Sequence, residues 1–298
     1  MMLPAREGTI PFHGYRTWYR IVGDGEEPGK FPLLALHGGP GATHDYLEPL
    51  EALAATGRRV IFYDQLGCGN SDQPHDPLLW TIPLFVAEVD AIRTALGLDR
   101  MHLLGQSWGG QLALEYLLTR PAGVVSLTLA SSLASAQRWE DEATRLRAEL
   151  PLDVRQVLAA HEAAGTVADP AYQAASTEYY KRHVCRIYPW PACVQSAFDK
   201  MAANSEVYNT MWGPTEFALT GTLRGWSVEE RLGELALPTL LTSGRYDEST
   251  PAINEVMQRG IAGSTWTIFA QSAHMAHVEE TEAYLRLLGD FLARVEAA

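Results

Sequence analysis

The sequence predicts an α/β protein, with a mostly parallel central sheet flanked by helices and an inserted helical block. Three observations carry that reading. Short β-rich runs bounded by Gly, Pro or Asp recur up to residue 133. Helix-length amphipathic segments separate the later runs, the alternation expected of βαβ units around a parallel sheet. From residue 134 to 235 the β-rich runs disappear and Ala, Glu, Arg, Tyr and Trp dominate, after which strands return. Strand, helical block and strand imply one core interrupted by a cap: residues 1–133 and 236–298 form the core, and 134–235 the cap.

Taken in order, Thr9–Phe12 and Arg16–Val22 read as an antiparallel hairpin leading into the sheet. PLLALHGG (32–39), RRVIFYDQ (58–65), MHLLGQ (101–106) and VVSLTLA (124–130) follow as strands. Leu84, Val86, Val89, Ile92 and Leu96 recur at roughly helical spacing, and Gly109–Leu118 reads as a helix stopped by Arg120-Pro121. LPTLLTSG (237–244) and STWTIFA (264–270) restore the strand pattern, and an amphipathic helix from about Glu279 to Val295 closes the chain.

Composition narrows the function. The 298 residues are 47% hydrophobic, enough for a sizeable core, and a 20% share of charged residues, dispersed in sign, argues against disorder. The net charge of −13 leaves no excess of cations to neutralise phosphates, and no Lys/Arg stripe alternates with aromatics. Nucleic acid and anionic membranes are therefore not expected partners. Cys68, Cys185 and Cys193 are too few and odd in number for a disulfide framework. The start, MMLPAREGTIPFHGY, has no basic segment followed by an apolar one, and no run approaches the ~20 apolar residues of a membrane span. A cytoplasmic protein is the expectation.

The chemistry centres on Gly105-Gln106-Ser107-Trp108-Gly109, where an apolar run enters and a helix leaves. That is the pattern of a nucleophile elbow, a sharp turn that exposes the hydroxyl of Ser107 while small flanking residues let strand and helix approach. A serine hydroxyl needs a base, and the base an orienting carboxylate. In chain order the candidates are Asp247, after the strand 237–244, and His274, after the strand 264–270. Both fall past the carboxyl ends of strands, where open α/β sheets collect ligands. Glu248 is an alternative acid and His277 an alternative base, although His277 sits where the last helix is expected to begin, with Glu279 and Glu280 in its first turn. His274 and His277 as a metal pair lack a third ligand, so no metal is expected. The run His37-Gly38-Gly39-Pro40-Gly41 follows a strand; its glycines free backbone amides to face a substrate, at Gly38 and Gly39. Gly39 and the amide of Trp108 are the expected oxyanion donors. The same run read as a bland turn is the competing view.

HGGPG (37–41), Asp64-Gln65-Leu66-Gly67-Cys68-Gly69-Asn70-Ser71 and GQSWGG (105–110), followed by GRYDE (244–248) and SAHMAH (272–277), give the chain its family resemblance. Over nearly its whole length it resembles the proline iminopeptidase (prolyl aminopeptidase) branch of the α/β-hydrolase superfamily. The resemblance implies an α/β-hydrolase fold, a helical cap and serine peptidase chemistry without a cofactor. Its substrate would be a short peptide or amino acid amide. It also implies that Glu216, in the segment Asn209–Phe217, and Glu248 hold the free amine of the substrate. Two carboxylates would hold an ammonium and exclude blocked substrates. The competing readings are a solvated surface glutamate at 216 and a Glu248–Arg245 ion pair. An amino acid amidase, or an esterase or lactonase, would use the same triad; a ligand-binding module on this fold is a more distant alternative. Dehalogenase and epoxide hydrolase chemistry need a carboxylate at position 107. Cys68 lies in the DQ-x-G-x-G loop, where a bulky thiol reagent is expected to obstruct the substrate. The aromatic residues of the insertion are expected to pack mainly as its core. The sequence leaves the oligomeric state open and is compatible with a monomer.

Overall fold

The computed structural model describes residues 4–298. The chain opens with β1 (Ala5–Phe12) and β2 (Tyr15–Val22), turns through β3 (Leu33–Leu36) and a 3-10 segment (His44–Thr56), and returns as β4 (Val60–Tyr63). Then come α1 (Ile82–Ala95), β5 (Met101–Gln106), α2 (Trp108–Leu118) and β6 (Val124–Ala130). Five helices follow: α3 (Ala136–Ala148), α4 (Leu152–Ala164), α5 (Pro170–His183), α6 (Ala192–Ala203) and α7 (Glu206–Met211). The core resumes with β7 (Thr239–Gly244), α8 (Pro251–Gly260), β8 (Thr265–Phe269), α9 (Ala276–Glu279) and α10 (Thr281–Glu296).

Among the described residues the strands form one eight-stranded sheet in the order β1-β2-β4-β3-β5-β6-β7-β8. The β1–β2 hairpin is antiparallel, β2 joins β4 antiparallel, and the remaining neighbours are parallel. Every residue of β3, β4, β5 and β7 is buried, as expected for parallel strands covered on both faces. On one face Leu34, Leu36, Ile61 and Leu103 pack with Val89 and Ile92 of α1; on the other Leu33, Val60 and Phe62 pack with Leu288 and Phe291 of α10. Helix α1 starts where Thr81 accepts the N–H of Leu84 and Pro83 occupies the first turn, both favourable at a helix start.

Two elements differ from the sequence reading. The insertion is not helical throughout: residues 212–228 run as turns, with one isolated bridge inside the stretch (Thr215–Ala218) and one to the residue before α3 (Ser135–Ser227). Gly213, at φ 151°, and Pro214 stop α7 there. The final helix is split, with a break at Glu280 (φ −127°, ψ 49°) between α9 and α10. Glu279 and Glu280 therefore do not form the first turn of one long helix. Their carboxylates turn back onto the preceding loop, taking the N–H groups of Gln271, Ala273 and Met275. No described helix is long and apolar enough to cross a membrane.

Candidate active site

The parallel strands deliver their carboxyl ends to one edge of the sheet, and the elbow stands at its centre. Ser107 follows β5 at φ 55°, ψ −124° and begins α2. Such a backbone costs a non-glycine residue about 1–3 kcal/mol and persists only when its surroundings impose it. Here the N–H of Ser107 donates to Ala130 O (3.0 Å), and its carbonyl accepts Gly110 N–H (2.8 Å) and Ser132 Oγ (2.9 Å). A side chain at 105 would run into the Gly109 carbonyl, and one at 109 into the Leu36 carbonyl. The two flanking glycines thus let β5, α2 and β3 close together around Ser107.

His274 and Asp247 meet beside it. His274 Nδ1 lies 2.7 Å from Asp247 Oδ1, which also accepts Ser249 N–H (2.8 Å), while Oδ2 accepts Gly244 N–H (3.2 Å). A carboxylate facing Nδ1 requires the ring proton there and leaves Nε2 of the neutral imidazole as the base, aimed away from Asp247. Glu248 Oε1 lies 3.9 Å from Nε2, outside hydrogen-bond range, so it is Asp247, not Glu248, that is hydrogen-bonded to His274. Ser107 and His274 line one cavity with Gly39, Gln106, Glu216 and Glu248. No hydrogen bond joins Ser107 to His274; catalytic bonds of this kind commonly tighten only with substrate. His277 is buried in α9 and donates from Nε2 to Tyr46 O (3.0 Å), with its pKa pushed down to about 3 by burial. It is a neutral structural residue. Neither histidine joins a group of acidic, His or Cys side chains placed to hold a metal among the described residues.

The HGGPG turn meets the elbow from the end of β3. The amides of Gly39 and Trp108 have no acceptor among the described residues, whereas the Gly38 N–H is taken by Tyr46 Oη at 2.6 Å. Gly38, expected beside the substrate, instead packs against Gln106 and Ser107, where a side chain would crowd both. Sequence reasoning assigned no role to three residues that organise this turn. Tyr46 Oη donates to Gln106 Oε1 (2.5 Å), and Gln106 Nε2 donates to His274 O (3.2 Å). Gln65 receives the indole N–H of Trp108 (2.9 Å) and donates to His37 O (2.9 Å), clamping the two halves of the donor pair together. The only signal for Gln65 was its place in the DQ string, and none marked Tyr46. Below them the buried Glu88 accepts Leu66 N–H (2.9 Å), and burial pushes its pKa up to about 8.

The insertion closes the cavity. Lys200 of α6 forms an ion pair with Asp45 (2.8 Å), and the same helix presents Ala197, Phe198 and Met201 to the cavity. Glu216 comes from the irregular stretch after α7. The indoles of Trp139 and Trp212 both donate to its carbonyl (2.8 and 3.3 Å), and Tyr208 Oη donates to Oε1 (2.9 Å). It is partly buried and points into the cavity, not a solvated surface residue. Glu248 is 1% exposed, and neither of its oxygens has a hydrogen-bond partner; no ion pair with Arg245 forms among the described residues. Burial raises both carboxyls above the usual range, and repulsion from Glu216 and Asp247 adds to the effect at Glu248. No Lys or Arg lines the cavity. Of the insertion aromatics, Trp139, Tyr179, Tyr208 and Trp212 are buried, as expected of cap core, while Tyr188 is exposed. Cys68 departs from expectation: it is 2% exposed, outside the cavity lining, and burial beside Asp64 and Glu88 pushes its thiol pKa well up. A protonated, enclosed thiol gives a bulky reagent no route to obstruct the site.

The fold and the serine elbow define the class of the protein, and a family model for the alpha/beta hydrolase fold matches residues 32–281. Proline iminopeptidase from Lactobacillus helveticus is 43% identical over 290 residues, covering 96% of this chain and 97% of that one. The crystal structure of VinJ superposes with a TM-score of 0.94 at 42% identity, covering 97% of this chain and 99% of the other. That of proline iminopeptidase from Mycobacterium smegmatis gives 0.91 at 41%, covering 98% and 99%. Within the alpha/beta hydrolases, the chain belongs to the proline iminopeptidase family.

Proposed function

We propose that the protein is a serine aminopeptidase that releases an N-terminal residue, proline or another small or apolar amino acid, from short peptides or amides. One observation carries the reading. Beside Ser107 and His274 the cavity presents Glu216 and a buried Glu248 carboxyl that bonds to nothing, with no cationic side chain to neutralise them. A substrate ammonium supplies the missing charge, and the secondary ammonium of an N-terminal proline has two N–H bonds, one for each carboxylate. The cavity is small, about 40 Å³, which favours a compact first side chain. The family relationship supports the same reading.

In this mechanism Ser107 Oγ attacks the carbonyl carbon of the first residue while His274 Nε2 takes its proton. Asp247 holds the resulting imidazolium, and the Gly39 and Trp108 amides receive the oxyanion. The C–N bond then breaks, His274 passes the proton to the departing amine, and the acyl-enzyme remains. Water attacks it with His274 again as base, freeing Ser107 and the amino acid. Residues 134–235 serve as the cap that supplies Glu216 and α6. Three free cysteines fit a reducing, cytoplasmic setting, and nothing in the scheme needs a second copy of the chain.

The test is kcat/KM for aminoacyl-nitroanilides, free and N-acetylated, beside a nitrophenyl ester. Turnover confined to free amines, with proline or alanine ahead of bulky residues, is expected. Preference for blocked amides or for the ester would leave an amidase or esterase and remove the role given to Glu216 and Glu248.

A further inference from the structure

The turn that ends α5 touches both loops that carry the acid and the base. On the Asp247 side, His183 O accepts the N–H of Glu248 (3.2 Å) and His183 Nδ1 donates to Tyr246 O (2.9 Å). On the His274 side, Val184 O accepts the N–H of His274 itself (3.1 Å). Two residues further, the N–H of Arg186 donates to Glu279 Oε1 (2.8 Å), while Glu279 Oε2 holds the N–H groups of Ala273 and Met275 (2.8 and 3.3 Å), the residues on either side of His274. The Arg186 side chain spans the gap between the loops: Nη1 donates to Gln271 O (2.7 Å), and the guanidinium lies 3.7 Å over the ring of Tyr246.

We propose that His183–Arg186 is a positioning strap that sets the alignment of Asp247 against His274, with the Arg186 side chain as its clasp. The inference rests on the reading of Asp247 and His274 as the orienting acid and the base. The two loops leave different strands and have few ties of their own, such as the Tyr246 N–H to Ser272 O bond (3.0 Å). His274 spends its backbone N–H on the strap and its carbonyl on Gln106, so half of its main-chain anchorage comes from the insertion. Displacement of a base by a fraction of an ångström slows chemistry more than it weakens binding. The insertion thereby contributes to turnover itself as well as to the choice of substrate. Arg186 does not line the cavity; it acts through the loops.

The experiment compares Arg186→Ala, Arg186→Lys and Tyr246→Leu with the wild type on a free aminoacyl-nitroanilide and a nitrophenyl ester, with Asp247→Asn as a separate control. Arg186 is exposed, and Tyr246→Leu removes only the platform beneath the guanidinium, so the proposal does not hang on one variant folding. Arg186→Ala is expected to lower kcat about tenfold on both substrates with KM nearly unchanged. Tyr246→Leu should follow in the same direction, and Arg186→Lys, which keeps one donor and the cation over the ring, should recover most of the loss. An unchanged kcat in both Arg186→Ala and Tyr246→Leu, or a rise in KM alone, would overturn the strap. Asp247→Asn is expected to cost about 10⁴-fold in kcat; if it costs nothing, the assignment of the acid and base falls instead, and the two failures are told apart.

Discussion

Glu248→Gln separates two properties of one side chain, its isolation in the folded protein and its charge toward a bound amine. The carboxyl is 1% exposed, unbonded at both oxygens, and held above the ordinary range by burial and by its acidic neighbours. A carboxyl raised in this way contributes its stability fully below the unfolded value of about 4.3, and loses it as pH rises through the folded value. Glutamine has the shape of the protonated acid and no such loss. The two proteins should therefore melt together near about pH 4, with the variant matching or exceeding the wild type near about pH 8. Binding runs the other way. An ammonium about 4 Å from the carboxylate gains about 4 kcal/mol at an effective dielectric of about 20, from which the cost of ionising a buried acid is subtracted. A charge-assisted hydrogen bond nets about 1.5–3 kcal/mol, or about 10- to 150-fold in kcat/KM for a free prolyl-nitroanilide. An N-acetylated substrate brings no charge and should lose less than about threefold. Steady-state kinetics on the two substrates, with thermal melts at both pH values, measure all of this. Equal losses on charged and blocked substrates, or a variant clearly less stable near about pH 8, would refute the reasoning.

Ser107→Gly should abolish turnover by about 10⁴-fold or more while the melting temperature holds or rises, because φ 55° costs serine about 1–3 kcal/mol that glycine does not incur; residual activity near wild type would remove Ser107 as nucleophile. Glu296→Gln should cost about 3 kcal/mol in urea unfolding, because Glu296 pairs with the 1% exposed Arg58 at 2.9 Å and also binds Lys30 and the Phe31 amide. Its carboxyl is held below the usual range with these donors around it, outweighing burial, so the difference from wild type should shrink as pH falls below about 4; a loss under about 1 kcal/mol would show that the cluster contributes little. Native protein treated with a maleimide should retain activity and an unmodified Cys68 by mass spectrometry, given a 2% exposed thiol whose ionisation is suppressed; rapid labelling there would contradict the burial argument.

The turn at Ser107 and the contact of Asp247 with His274 were legible because their placement follows from local pattern. Gly105 and Gly109 sit beside Ser107 in the chain, and each partner follows its own strand by a few residues, so finding the strands located the side chains. The order β1-β2-β4-β3-β5-β6-β7-β8 was not written in any one segment, yet the alternation of runs was enough to predict a mostly parallel sheet. What escaped was long-range and polar. Tyr46 reaches Gln106 across 60 positions and Gln65 reaches Trp108 across 43; neither contact follows from periodicity. The split of the last helix escaped for a related reason. The pattern from Glu279 onward is helical, but the loop amides of residues 271–275 needed acceptors, and the two glutamates supplied them at the cost of one helical junction. Cys68 was misread because loop position was taken for exposure, and burial is a tertiary property.

The charge of the cavity ties specificity to chemistry. Asp247, Glu248 and Glu216 crowd around one imidazole with no Lys or Arg in the lining, an arrangement that opposes an oxyanion forming a few ångströms away. With no cation in the lining, burial raises both carboxyls above the ordinary range, and repulsion from Glu216 and Asp247 adds to the rise at Glu248. On the proposed reading a substrate ammonium would offset that repulsion, and its binding should weaken as acid competes for the carboxylates. In the transition state an ammonium held there would lie near the growing negative charge and stabilise it more than it stabilises the neutral ground-state carbonyl. A free amine would then be favoured in kcat as well as in KM. A blocked amine would bring no such charge to the carboxyl pair. On this reading selection for an unblocked N-terminus would arise from the electrostatics of turnover, with no steric gate needed at the far end of the pocket.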